Sequence, residues 1–308
     1  MMDVLVQIIV TTIAASTPLI FAATGELVVE RSGVLNLGVE GMLLIGAVCA
    51  FVVTMETGSG YAGILAGTIG GVMIALIFAV LTLVTLANQV ATGLALTIFG
   101  IGCSALIGVS HVGRAYSGLP KLSIPGLSDL PVLGPILFRH DILIYLGIAM
   151  VAAVWWFLYR TKAGLILRAV GESHDAAHAI GYRVVAIRFA AVAFGGAMCG
   201  LGGAHLSLSY TPLWQEEMSA GRGWIALALV VFATWRPWRV LFGAYLFGAM
   251  RMLELHGQSA LSLNIPSQVF TMLPYLATII VLVIISRDVL KVRTNAPACL
   301  GQAFHPPG

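Results

Sequence analysis

Few side chains in this 308-residue chain could do chemistry, and none is arranged to make or break a covalent bond. His174 and His178 stand four residues apart, a spacing that aligns two imidazoles on a helix, but no third ligand lies near. Both fall on the solvated face of a short amphipathic stretch, so no metal site is expected. There is no HExxH, no Ser/His/Asp or Cys/His set at a span end, and no GxxxxGKS or GxxxxGKT phosphate loop. The chain therefore binds no ATP through a phosphate loop of its own, and no cofactor is expected on it. Cys49, Cys103, Cys199 and Cys299 are scattered without a CxxC pair and read as small buried hydrophobes. What remains is chemistry of recognition: amides, carboxylates and hydroxyls inside apolar sequence, and one polar, basic island at 161–188.

The elements holding these groups follow from composition. Hydrophobic residues make up 59% of the chain and charged residues only 9%, against about a quarter charged in a soluble domain. Several apolar runs reach the ~20 residues that span a bilayer as a helix, and the ~10-residue alternation of a β-barrel is absent. The chain reads as an all-α, polytopic transmembrane bundle, a single domain over 1–308. About nine spans are expected (8 to 10): 4–24, 35–55, 61–86, 89–110, 141–159, 187–209, 223–235, 238–256 and 267–286. The seventh is short enough to be tilted or broken. The first follows no basic leader and reads as a retained span.

Basic residues orient the bundle. With 161–188 in the cytosol, that side collects Arg31, Arg160, Lys162, Arg168, Arg183, Arg188, Arg236, Arg239, Arg287, Lys291 and Arg293. The outer side collects Arg114, Lys121, Arg139 and Arg222. The N-terminus then faces out and the C-terminus is cytosolic. Residues 111–140 form an outer loop too rich in proline and glycine for a continuous helix. It reads either as a lid or docking ledge, or as a connector lying at the interface.

Charged and polar groups at membrane depth are costly and point to function. The first cluster is 26–41, which joins two spans with little room for a loop. Asn36 and Glu40 stand one helical turn apart there. In one reading this is a broken helix whose polar junction lines a central path; in the other, Glu30 and Arg31 form a cytosolic turn and Glu40 bonds a neighbouring helix. The second cluster, 88–92, offers Gln89 and Thr92 to the same path, or caps a helix through Asn88 or Gln89. Arg251 and Glu254 read as an ion pair, and Trp214 as an interfacial anchor. Glu216 and Glu217 read either as a partner contact or as a solvated turn. Of the 35 glycines, several recur every fourth residue: Gly63, Gly67 and Gly71, then Gly196 and Gly200. A similar stripe runs through Gly100, Ser104 and Gly108. Such faces let helices approach closely, either as static packing or as sliding surfaces.

The island at 161–188 is what a membrane anchor does not need. Its centre, 172–180, is a short amphipathic piece bounded by Gly171 and Gly181, suited to receiving mechanical work from a cytosolic partner.

These motifs together resemble the permease subunits of bacterial ABC importers for branched-chain amino acids, ribose and nucleosides, over nearly the whole chain. ERSGVLNLGVEGMLLIGA (30–47), NQVATGLALT (88–97), GLPKLSIP (118–125), GRGWIALALVVF (221–232) and WRPWR (235–239) are similar to the nucleoside and simple-sugar branch. GLILRAVGE (164–172) is similar to the family's coupling segment. The resemblance implies an inner-membrane permease that works by alternating access and hydrolyses nothing itself. Its implied partners are an ABC ATPase, a second permease subunit (a different chain, or a second copy), and an extracytoplasmic solute-binding protein. The implied solute is a nucleoside or related sugar-like molecule. ATPase coupling maps to Arg168, Gly171, Glu172, Ser173, His174, Asp175, Ala176, Ala177 and Gly181. Ala91 and Thr92 depart from a pair that is often more polar in relatives. Rival classes are an ion-coupled secondary transporter, which would show carboxylates repeated in matching halves, and a membrane scaffold without transport.

Overall fold

The computed structural model describes residues 2–261 except 124, 127 and 129, single positions 269, 272, 276, 279, 280 and 283, and residues 295–305. Among the described residues every regular element is helical. They are α1 (Met2–Arg31), α2 (Val39–Thr57), α3 (Gly60–Ala79), α4 (Gln89–Gly108), α5 (Leu133–Leu137), α6 (Ile142–Arg160), α7 (Lys162–Glu172), α8 (His174–Ala179), α9 (Val184–His205), α10 (Arg222–Phe232) and α11 (Pro237–Leu261). π-helical turns extend α3 through Val80–Val84 and α9 through Leu206–Tyr210.

Several starts are written locally. The side chains of Ser59, Asn88, Asp141, Thr161 and Ser173 accept backbone N–H bonds at the first turns of α3, α4, α6, α7 and α8. Such caps satisfy donors that a helix cannot satisfy itself.

Six helical stretches among the described residues are long and apolar enough to cross a membrane: Val6–Arg31, Val39–Thr57, Gly60–Val84, Gln89–His111, Ile142–Arg160 and Val184–Tyr210. They fall on the first six expected spans. The first runs past residue 24 because Glu26 and Glu30 find partners inside the protein. The expected seventh is the 11-residue α10, roughly 16 Å long at 1.5 Å per residue, about half a hydrocarbon core. A left-handed turn at Thr234 and Trp235 ends it, and the 25-residue α11 follows. Most of the ninth expected span, Arg287, Lys291, Arg293 and the side chains of Glu254 and His256 lie outside the described residues.

The core is a seam of α2, α3 and α9, with α1 laid against α9. Lipid gives helices no hydrophobic drive to associate, so close van der Waals contact must hold them. The glycine stripes supply it. A methyl group added to Gly46 would sit 2.6 Å from the Gly200 Cα, and one added to Gly67 would sit 2.7 Å from the Gly46 carbonyl oxygen. Gly71 and Gly196 abut each other's backbones. Gly46→Leu is therefore expected to cost at least about 3 kcal/mol by overpacking, read as loss of the monodisperse peak in detergent size exclusion.

The stripe on α4 closes other contacts. Gly100 abuts Gly41, and Gly108 lies under the Trp214 indole. Trp214 is thus no interfacial anchor: it is 1% exposed, because a ring-sized gap above Gly108 takes it in. The 111–140 loop is tied to the end of α9 by backbone bonds from Leu119 to Leu208 (3.1 Å) and from Tyr116 to Pro212 (2.8 Å).

Candidate functional site: the coupling loop and the α1–α2 turn

The polar island folds as two helices, α7 and α8, broken at Ser173. The Ser173 backbone is extended, and its hydroxyl caps α8 through Ala176 N at 3.3 Å. Gly181, in the left-handed region at φ 94°, ends the loop. The nine coupling residues divide by face. Glu172, Ser173, Asp175, Ala176 and Gly181 are exposed, followed by Ile180 at 72%. Arg168 is half-buried over the Tyr159 ring. Gly171, His174 and Ala177 face inward.

The histidines do not lie on a solvated face. His174 is buried and His178 half-buried, because the Phe304 ring packs against both, with centroids at 5.3 Å in each case. Burial and the adjacent Arg188 guanidinium hold the His174 imidazole below its usual range. The neutral ring fits its contacts: Nδ1 accepts from Arg188 at 3.4 Å, and Nε2 lies 3.5 Å from the Asp175 carboxylate.

The turn at 32–38, between α1 and α2, is where the bundle converges. Arg188 Nε donates to the Ser32 carbonyl at 3.1 Å. The Gly171 Cα faces the Arg31 carbonyl so closely that any side chain would collide with it. Arg31 donates to the carbonyls of Trp235 (3.1 Å) and Asn295 (3.0 Å). The Trp235 indole N–H donates to Glu30 Oε2 at 2.5 Å. From α4, Gln89 Oε1 accepts from Leu35 N at 2.8 Å and Thr97 Oγ donates to the Leu37 carbonyl at 3.0 Å. Elements from five parts of the chain thus hold the end of α1 and the seven-residue turn that follows it.

Three of the four path candidates are committed to this framework. Asn36 precedes α2 rather than lying on it, so its four-residue spacing to Glu40 is not a helical face. Its Oδ1 accepts from Gly38 N at 2.9 Å, and its own N–H donates to Glu26 Oε1 at 3.2 Å. Glu40 reaches the start of α10, accepting from Ser219 Oγ (2.5 Å), Gly221 N (2.9 Å) and Gly223 N (2.5 Å). Gln89 is buried, with Nε2 unpartnered. Thr92 stands apart, half-exposed, at the edge of the exposed apolar face of α4 that carries Leu94 and Ile98.

The family described as branched-chain amino acid transport system / permease component matches residues 8–284. The chain belongs to this permease family. It is 42% identical to a provisionally named glucose ABC transporter permease protein of Haloferax volcanii, over 96% of each chain. It is 34% identical to a guanosine ABC transporter permease protein of Bacillus subtilis, over 91% of this chain and 92% of that one. A nucleoside ABC transporter permease protein of Lactococcus lactis subsp. cremoris shares 33%, over 87% and 88%. The protein is a multi-pass transport subunit of the inner membrane.

Several groups in this permease carry structural work that sequence reasoning did not assign. Arg188, one of the basic residues on the expected cytosolic side, is 0% exposed. Its position just inside the hydrophobic run was the available signal. Glu26 is fully buried with Oε2 unpartnered; a carboxylate within an apolar run was the signal there. At the far end of α9, Asp141 Oδ1 caps α6 while Oδ2 accepts from Ser209 Oγ at 2.6 Å and faces His205 at 3.7 Å. Asp141 and Ser209 border a cavity of about 410 Å³ that Lys121 and Arg139 also line.

Proposed function

We propose that the chain is the translocation subunit of an ATP-driven importer for a nucleoside or related sugar-like solute. A single permease domain would span 1–308, with the 161–188 loop on the cytosolic side and 111–140 outside. About nine spans would place the N-terminus outside and the C-terminus in the cytosol, a reading that the basic-residue asymmetry supports. The solute class rests on the names of the relatives, one for glucose and two for nucleosides.

The observation that carries the reading is the α8 region. An exposed surface of Asp175, Ala176 and Ile180 is backed by an inward face that hydrogen-bonds, through His174 and Arg188, to the α1–α2 turn. A load applied to the outer surface therefore has a short, buried route into the bundle. A separate ATPase chain would bind ATP and magnesium and pull on this surface as its domains close. The α1–α2 turn would then shift against α4, opening a path between this subunit and a second permease chain. An extracytoplasmic binding protein would deliver solute on the far side. The free apolar face of α4, with half-exposed Thr92, is the surface of this chain best placed to border that path. Asn36, Glu40 and Gln89 would shape it from behind.

Purification from native membranes, followed by uptake of labelled guanosine and glucose into proteoliposomes, tests the reading. An ATPase subunit that co-purifies, and uptake that needs ATP, are expected. Uptake by the chain alone, driven by an ion gradient, would contradict it.

A further inference from the structure

We infer that residues 295–305 form a transmission strap, with Phe304 as the residue that positions α8. This deepens the proposed function and rests on α8 being the ATPase contact.

The strap is held at both ends of the route just described. Its Cys299 N–H donates to the Gly171 carbonyl at 2.9 Å, and the Cys299 thiol reaches the Glu172 carbonyl at 3.4 Å, which fixes it to the end of α7. Its Gly301 N–H donates to the Gly33 carbonyl at 3.1 Å, which fixes it to the α1–α2 turn. The Gln302 carbonyl accepts from Arg188 Nη1 at 3.1 Å, the same guanidinium that bonds Ser32 and His174. Asn295 is bonded from Arg31. Phe304 then closes a small cluster with Val170, Ala177 and Val184.

A helix of six residues cannot hold itself in water, since nucleation alone is unfavourable at that length. α8 is ordered by what lies beneath it, and Phe304 is the largest apolar side chain in that cluster. Without the ring, His174 and His178 lose their shared packing surface. The exposed surface of α8 could then move without displacing His174 or Arg188. The strap thus makes α8, the end of α7 and the α1–α2 turn move as one body.

The test uses the full transporter in proteoliposomes, with Phe304→Ala and Phe304→Leu variants of the intact chain and labelled guanosine and glucose as probes. Phe304→Ala is expected to keep its ATPase partner and to hydrolyse ATP. Solute moved per ATP should fall by about five-fold or more, the lower range of a typical coupling free energy. Amide exchange across 172–180 should quicken, and Phe304→Leu should restore more than half of the lost ratio. A wild-type solute-to-ATP ratio in Phe304→Ala would overturn the inference. So would loss of the ATPase from that variant, because the strap would then be a docking element. Absence of any ATPase on the wild-type chain would overturn the coupling reading itself, and this inference with it.

Discussion

Arg188→Ala is expected to abolish solute uptake while leaving membrane insertion and ATPase binding intact. The guanidinium is completely buried and donates in three directions, to Ser32, Gln302 and His174. Hydrogen bonds from a charged donor contribute about 1.5–3 kcal/mol each, and a carbonyl left buried without a donor costs about 1–3 kcal/mol. The loss should therefore be at least about 3 kcal/mol, concentrated at one joint. It separates α8 from the α1–α2 turn but leaves the exposed docking surface intact. Arg188→Lys should fail almost as badly, because a single ammonium cannot copy the planar fork that reaches all three acceptors. Uptake per ATP, measured with ATPase content held equal, checks both variants. Normal uptake in Arg188→Lys would mean that charge alone, and not the three-way joint, is needed there.

Glu40→Ala acts at a different joint and fails for a different reason. α10 starts at Gly221, which offers no side-chain cap. Glu40 supplies the missing acceptors from α2, binding two backbone N–H groups and the Ser219 hydroxyl. Its negative charge also faces the positive end of the α10 dipole. Alanine leaves three donors without partners, an expected cost of about 3 kcal/mol or more. The consequence should be a loss of stability, seen as a large drop in the thermal midpoint of the detergent-purified chain. Glu40→Gln keeps an acceptor oxygen and should lose less. If Glu40→Ala were instead thermally normal but inactive in uptake, Glu40 would be a solute contact and the capping role would be wrong.

Much of the architecture was legible because bilayer spans are long and apolar, so the first six emerge from run length alone. The 161–188 island was equally plain from its polarity, and Gly181 marks its end by local chemistry, whereas the boundary expected at Gly171 falls at Ser173, which caps α8. The finer placements depend on contacts between residues distant in sequence. Glu40 finds its partners 179 to 183 residues away, and no local pattern announces that α10 lacks a cap. The histidines at 174 and 178 follow an ordinary amphipathic pattern and would be solvated if α8 stood alone. They are buried because Phe304, 130 residues after His174, covers them, and nothing in the 295–305 sequence signals a docked segment. Trp214 reads as an anchor at a span edge, but only the fold reveals the space above Gly108 that takes its ring. Asn36 and Glu40 read as one helical face, and the start of α2 at Val39 separates them.

The central claim is that a separate ATPase grips α8 and drives the α1–α2 turn through it. Its most direct test is a photo-crosslinking residue at Ile180, the most exposed hydrophobic position beside α8, irradiated in native membranes. The expected result is an adduct with an ATPase subunit whose yield changes when ATP is added, alongside wild-type uptake in the unirradiated sample. Full ATP-dependent uptake with no ATPase adduct from Ile180 would contradict it.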